Sequence, residues 1–214
     1  MRLVRFSRVR SVGTVAAAGV VAAGTIAASA GPASAADTVV HAKYKVTGST
    51  FIKAGNFTVP LGPGKLASTL DANTGKLTAT LTLPEATASY KQDGVVPVTA
   101  TTKFINDGPT TGTLNFNTGA VSTTSDITLQ IVSLSAAGVS VPVGSSCETT
   151  QPAAVSVSGQ PPAFNILKGG SLTGTYTIPQ FANCELATTL INLTIPGSGN
   201  TITLTLGKAK LGKP

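Results

Sequence analysis

The chain contains no tryptophan, one methionine, one histidine and two cysteines, and only 11% of its 214 residues carry charge. Each shortage excludes something. Two cysteines cannot make a disulfide-dense miniprotein. The lone histidine, His41, lies more than 100 residues from Cys147, so a zinc site lacks ligands. Aromatic residues at 5% leave little for stacking on sugars or bases. No Gly-x-Ser-x-Gly elbow, phosphate loop or dinucleotide fingerprint is present. The composition also excludes a coiled coil and a disordered acidic tail.

What charge there is sits unevenly. The formal net charge is +7, yet all four arginines, Arg2, Arg5, Arg8 and Arg10, fall in the first ten residues. An uncharged Ala, Val and Gly stretch runs from Val12 to Ala30 and is followed by Ala33-Ser34-Ala35. A basic start, an apolar middle and an A-x-A end predict a secretory signal peptide over residues 1–35, cleaved between Ala35 and Ala36. A secreted, extracellular protein without a stable membrane insertion is therefore expected. No cysteine follows the apolar run, which argues against a lipid anchor.

Residues 36–214 then carry 11 lysines, 8 acids and no arginine. Lys208, Lys210 and Lys213 form a short basic tail over 208–214, and from Ala36 to Gly207 the count is 8 against 8. A neutral body without arginine is a poor match for nucleic acid, which calls for a basic face and bidentate or stacking contacts. The tail offers only a weak contact with an anionic cell wall or envelope. Cys147 and Cys184 are expected to form one disulfide, closing a loop of about 38 residues and contributing roughly 4 kcal/mol.

Periodicity predicts strands. Val40, Ala42, Tyr44 and Val46 alternate with His41, Lys43, Lys45 and Thr47. The runs beginning at Leu77, Leu172 and Ile202 alternate in the same way against threonines. Threonine supplies 31 of the 179 residues from Ala36 onward, and its branched carbon suits the pleat. Only Glu185 to Asn192 reads as a short helical turn. Gly, Asn and Pro turns separate many short runs, so residues 36–207 are expected to form an all-β, antiparallel β-sandwich of hairpins. A hairpin motif recurs: Thr69-Leu70-Asp71-Ala72-Asn73-Thr74-Gly75 matches Thr113-Leu114-Asn115-Phe116-Asn117-Thr118-Gly119, and Gly75 to Pro84 matches Gly170 to Pro179. Convergence of similar turns and duplication both account for it.

This order of features, Thr-Leu-Asp-x-x-Thr-Gly-x-Leu, Cys147, Gly-x-Leu-x-Gly-Thr-Tyr-Thr-Ile-Pro-x-Phe-x-x-Cys184 and Gly197-x-Gly-Asn200, resembles small secreted β-rich proteins of actinobacteria. That resemblance implies a fold and an address but no activity, cofactor or functional residue.

Candidate chemistry is sparse. Asp71 to Gly75 begins like a calcium loop, but the position eleven residues after Asp71 is Thr82 rather than Glu, so a hairpin turn is expected. Glu148 and Glu185 flank the cysteines and are the only pair that suggests a hydrolase. His41 shares a wet face with Lys43 and Lys45 and lacks a nucleophile. Tyr44 and Tyr176 are expected in the core, and Tyr90 on the surface. The reading is a non-enzymatic extracellular or envelope structural and interaction protein needing no cofactor or metal. A carrier of an apolar ligand, with a cavity between or inside the sheets, is the alternative.

Overall fold

The computed structural model describes residues 38–92 and 94–212. The predicted signal peptide, its cleavage point at Ala35 and Ala36, and Lys213 lie outside the described residues. In chain order the strands are β1 (Val39–Ile52), β2 (Phe57–Asp71), β3 (Lys76–Thr82), β4 (Ala86–Gln92) and β5 (Val96–Asn106). They continue with β6 (Thr110–Leu114), β7 (Val121–Ala136), β8 (Val139–Ser140), β9 (Glu148–Thr149) and β10 (Ala153–Gly159). Next come β11 (Phe164–Asn165), β12 (Gly169–Ile178) and β13 (Phe181–Ala182). A 3-10 turn (Glu185–Ala187) leads into α1 (Thr188–Thr194), and β14 (Gly197–Leu206) and β15 (Lys210–Gly212) are the last elements among the described residues.

Alternation sets the faces as expected. Ala42, Tyr44 and Val46 are buried while Lys43, Lys45 and Thr47 are exposed, and Leu77, Leu81, Leu172, Ile202, Leu204 and Leu206 all point inward. The predicted sandwich is not what forms. The pairing order β10-β12-β14-β1-β2-β3-β6-β7 returns to β10, so eight strands close into a barrel. The closing ladder pairs Val121–Ile127 of β7 with Ala153–Gly159 of β10. Its physical basis is the length of β7, which has 16 residues. The first part of β7 lies between β6 and β10, and the rest pairs with β5. A two-residue period reveals which face of a strand is buried but carries no information about such distant partners.

Register around the ring fixes its width. From His41 the cross-strand partners run through Thr69, Thr78, Thr111, Thr124, Ser156, Thr175 and Thr201 to Phe51. The row rejoins β1 ten residues beyond its start. An eight-strand barrel has an interior just wide enough for side chains to fill or for one small ligand. Tight coiling calls for glycine where strands approach closely. A Cβ on Gly174 would sit 1.9 Å from the Ser156 carbonyl oxygen, and one on Gly48 would sit 2.1 Å from that of Thr203.

The same apolar cluster continues beyond the closed barrel into an upper region, the second core. There β5 pairs with the second part of β7 and β4 pairs with β5, which brings Tyr90 of β4 onto Phe57 of β2 with ring centroids 4.2 Å apart. Val98, Ile131, Ile178 and Phe181 fill this region, and Ile191 of α1 closes it. The helix appears where the sequence suggested one. Asn192 clamps it by accepting the Phe181 amide at 2.8 Å and donating to the Phe181 carbonyl at 2.9 Å. The Cys147–Cys184 disulfide lies beside this clamp, with both cysteines fully buried and Cα atoms 4.2 Å apart. Asn200, also fully buried, accepts the Lys53 amide at 2.9 Å and donates to the Gly197 and Tyr176 carbonyls at 2.7 and 3.4 Å.

Two stability predictions follow from these ties. Replacing both cysteines by serine is expected to lower the unfolding free energy by about 4 kcal/mol, the loop-closure value, read from urea titration. Asn200→Ala leaves backbone groups of three strand ends without partners and is expected to cost about 2–3 kcal/mol. Thr201→Ala next to it, on the wet face, should change stability by less than about 0.5 kcal/mol.

Candidate functional site

The structure leaves His41 on the outer face of the barrel, whereas Glu148 and Glu185 each adjoin the Cys147–Cys184 disulfide. His41 Nδ1 lies 3.1 Å from Thr69 Oγ1, and no carboxylate among the described residues is bonded to it. Glu148 is half-buried in β9 opposite Ala182, and Glu185 is exposed at the start of the 3-10 turn. Neither carboxylate makes a side-chain hydrogen bond or ion pair among the described residues. No group of three or more His, Cys, Asp or Glu side chains is placed to hold a metal ion among the described residues.

The calcium-like segment is a hairpin turn. Asp71 Oδ1 accepts the amides of Asn73 and Thr74 at 2.8 and 3.2 Å, and Thr74 Oγ1 donates to Oδ2 at 2.6 Å. Asn115 makes the same pair of bonds to Asn117 and Thr118, and Asn165 makes it to Leu167 and Lys168. Each turn ends on a glycine with positive φ: Gly75 at 74°, Gly119 at 71° and Gly169 at 82°. The third turn aligns on Gly169 rather than on Gly170. Gly170, at φ 126°, is an inserted residue that the sequence match absorbed into the strand.

The tyrosines are structural. Tyr44 is buried in the barrel and donates to the Ile166 carbonyl at 2.8 Å. Tyr176 is half-buried and shares a 2.7 Å hydrogen bond with Thr50. Tyr90, expected at the surface, is only 7% exposed. Its neighbours in sequence are polar, but the β4–β5 hairpin turns its ring onto Phe57 and its hydroxyl to Thr194 at 3.0 Å. Burial pushes all three phenols above their ordinary range, so they remain neutral.

The barrel interior is lined by Val46, Leu66, Leu77, Leu172, Leu204 and Phe164, with hydroxyls of Ser68, Thr110 and Ser125 on one wall. It holds a free volume of about 60 Å³, and the second core holds about 40 Å³. Pockets that bind small molecules usually have about 300–1,000 Å³. The outer face is different. The row from Thr69 to Thr201 gives a hydroxyl on seven neighbouring strands, and Thr113, Ser122, Ser158, Thr173 and Thr203 form a parallel second row. A shallow concavity of about 550 Å³ crosses the second row, lined by Thr113, Asn115, Ser122, Ser158, Gln160 and Thr173 among others, with no charged residue. Such a surface donates and accepts hydrogen bonds without imposing charge.

Lys208 and Lys210 belong to the fold rather than to a free tail. Lys210 lies on β15, which pairs with β1 through Lys43↔Lys210 and His41↔Gly212, and Lys208 stands on the connection from β14. No helix of the described residues is long and apolar enough to cross a membrane. Compared with protein-family models, curated proteins and solved structures, the chain matches none of them.

The Asp71 turn yields a pH prediction. Its hydrogen bond from Thr74, then that from the Asn73 amide, hold the carboxyl below its ordinary 3.8. A depressed folded value means that the carboxylate stabilises the turn above the ordinary Asp range and that this contribution is lost as pH falls through the folded value. NMR titration should place the Asp71 midpoint below 3.8. Asp71→Asn, which copies the Asn115 turn, should retain the fold and remove that pH dependence.

Proposed function

We propose that this chain is an exported, non-enzymatic envelope or extracellular interaction protein that works through the outside of its barrel. The observation that carries the reading is the contrast between the two faces of the strands. The inward face is apolar and nearly filled, whereas the outward face presents registered rows of uncharged hydroxyls. The basic, apolar and A-x-A pattern of residues 1–35 supports export, and a buried disulfide suits an oxidising compartment. The likeness to small secreted β-rich actinobacterial proteins belongs to the same proposal.

The carrier reading has one observation in its favour, the apolar lining of the barrel. Against it stands the size of the space, far below what a lipid chain fills. The hydrolase reading has only the shared neighbourhood of Glu148 and Glu185 around the disulfide.

Native mass spectrometry of the protein purified from an exporting host tests these readings together. The expected species starts at Ala36, carries one disulfide and retains no small molecule. A stoichiometric apolar ligand would replace this reading with the carrier, and a chain recovered with residues 1–35 intact in the membrane fraction would remove export.

A further inference from the structure

Five of the ten lysines among the described residues line one groove. Lys43 and Lys45 stand on β1, Lys65 on β2, Lys210 on β15 and Lys208 between β14 and β15. All five are exposed, and the space they enclose is about 280 Å³. The groove exists because β14 pairs with β1 only from Val46 onward while β15 pairs with it only over His41–Lys43. The chain crosses that gap at Gly207, whose amide donates to the Lys45 carbonyl at 2.9 Å. Gly207 and the exposed Ala67 leave a floor of small residues between cationic walls.

The placement opposes folding stability. Register sets Lys45 directly opposite Lys65 and Lys43 directly opposite Lys210. Partners so placed have Cβ atoms about 5 Å apart, and like charges there destabilise a sheet. None of the acids among the described residues lines the groove, and no ion pair is present among the described residues to offset the repulsion. An anionic ligand lying between the walls would relieve it.

We propose that this groove binds a linear, phosphate-bearing polyanion. Residues 36–214 lack arginine, so recognition here falls to lysine ammoniums, compact point charges that bind phosphate without bidentate geometry. A concavity with lysines from three neighbouring strands on its walls suits a chain of anionic groups rather than the plane of a bilayer. Nucleic acid is disfavoured because the one aromatic residue at the groove, Tyr44, has its ring buried and its hydroxyl bonded to Ile166, leaving no platform for bases. The proposal supplies the interaction reading above with a ligand class. It is measured on purified protein, so it can fail while export and lack of activity stand, or hold if they fail.

The probe is short-chain inorganic polyphosphate, titrated into the purified protein at several salt concentrations. Five lysines releasing about 0.7 counterion each predict a slope near −3.5 in log affinity against log salt, or about a hundredfold loss between roughly 50 and 200 mM. The double variant Lys45→Glu/Lys210→Glu replaces both like-charge pairs by opposite-charge pairs. It should weaken binding at least tenfold while its melting temperature is maintained or raised. Lys91→Glu/Lys103→Glu makes the same change in net charge on β4 and β5 and should weaken binding less than threefold. Equal loss in the two double variants would reduce the effect to net charge and overturn the site. So would absence of binding at low salt, or tighter binding to polygalacturonate, single-stranded DNA or phosphatidylglycerol vesicles than to polyphosphate.

Discussion

The ladder between Val121–Ile127 of β7 and Ala153–Gly159 of β10 turns a succession of hairpins into a tube, and most of the other features depend on it. A sheet left open there would expose two rows of unpaired amides and carbonyls and would need a second sheet to cover its apolar face. Closure satisfies both needs at once. It also makes inside and outside distinct environments, so that a single alternation of Leu or Val with Thr produces a filled interior and a hydroxyl-bearing exterior.

The upper core works by different means. Strand pairing is less complete there, and long-range ties replace it: the buried disulfide, the Asn192 clamp on Phe181, the Asn200 bonds at the meeting of β1, β12 and β14, and the Tyr90–Thr194 hydrogen bond. Three of these ties place a polar side chain where its partners are backbone groups or a single hydroxyl. Removing one such side chain leaves the partner desolvated and unpaired, which costs more than the bond itself contributes.

Local chemistry was legible in the sequence to the extent that it is local. The strand faces, the Asx turns at Asp71 and Asn115, the disulfide and the short helix near Glu185 all follow from neighbours within a few residues or from the only available partner. Barrel closure was not legible, because β7 and β10 meet through register rather than through any residue type. Tyr90 was misplaced for the same reason, since its polar flanks say nothing about Phe57 across the fold. The lysine groove was half visible: Lys43 and Lys45 share a face in the sequence, but Lys65, Lys208 and Lys210 join them only through the pairing of β2 and β15 with β1.

The central claim is that the barrel is closed and its interior packed. Native-state amide hydrogen exchange at the β7–β10 ladder tests this most directly. The account predicts that amides of Val121–Ile127 and Ala153–Gly159 are protected as strongly as those of the long β1–β2 hairpin and are released only by global unfolding. Early, separate exchange of that ladder would mean a seam that opens short of global unfolding, and would contradict the account.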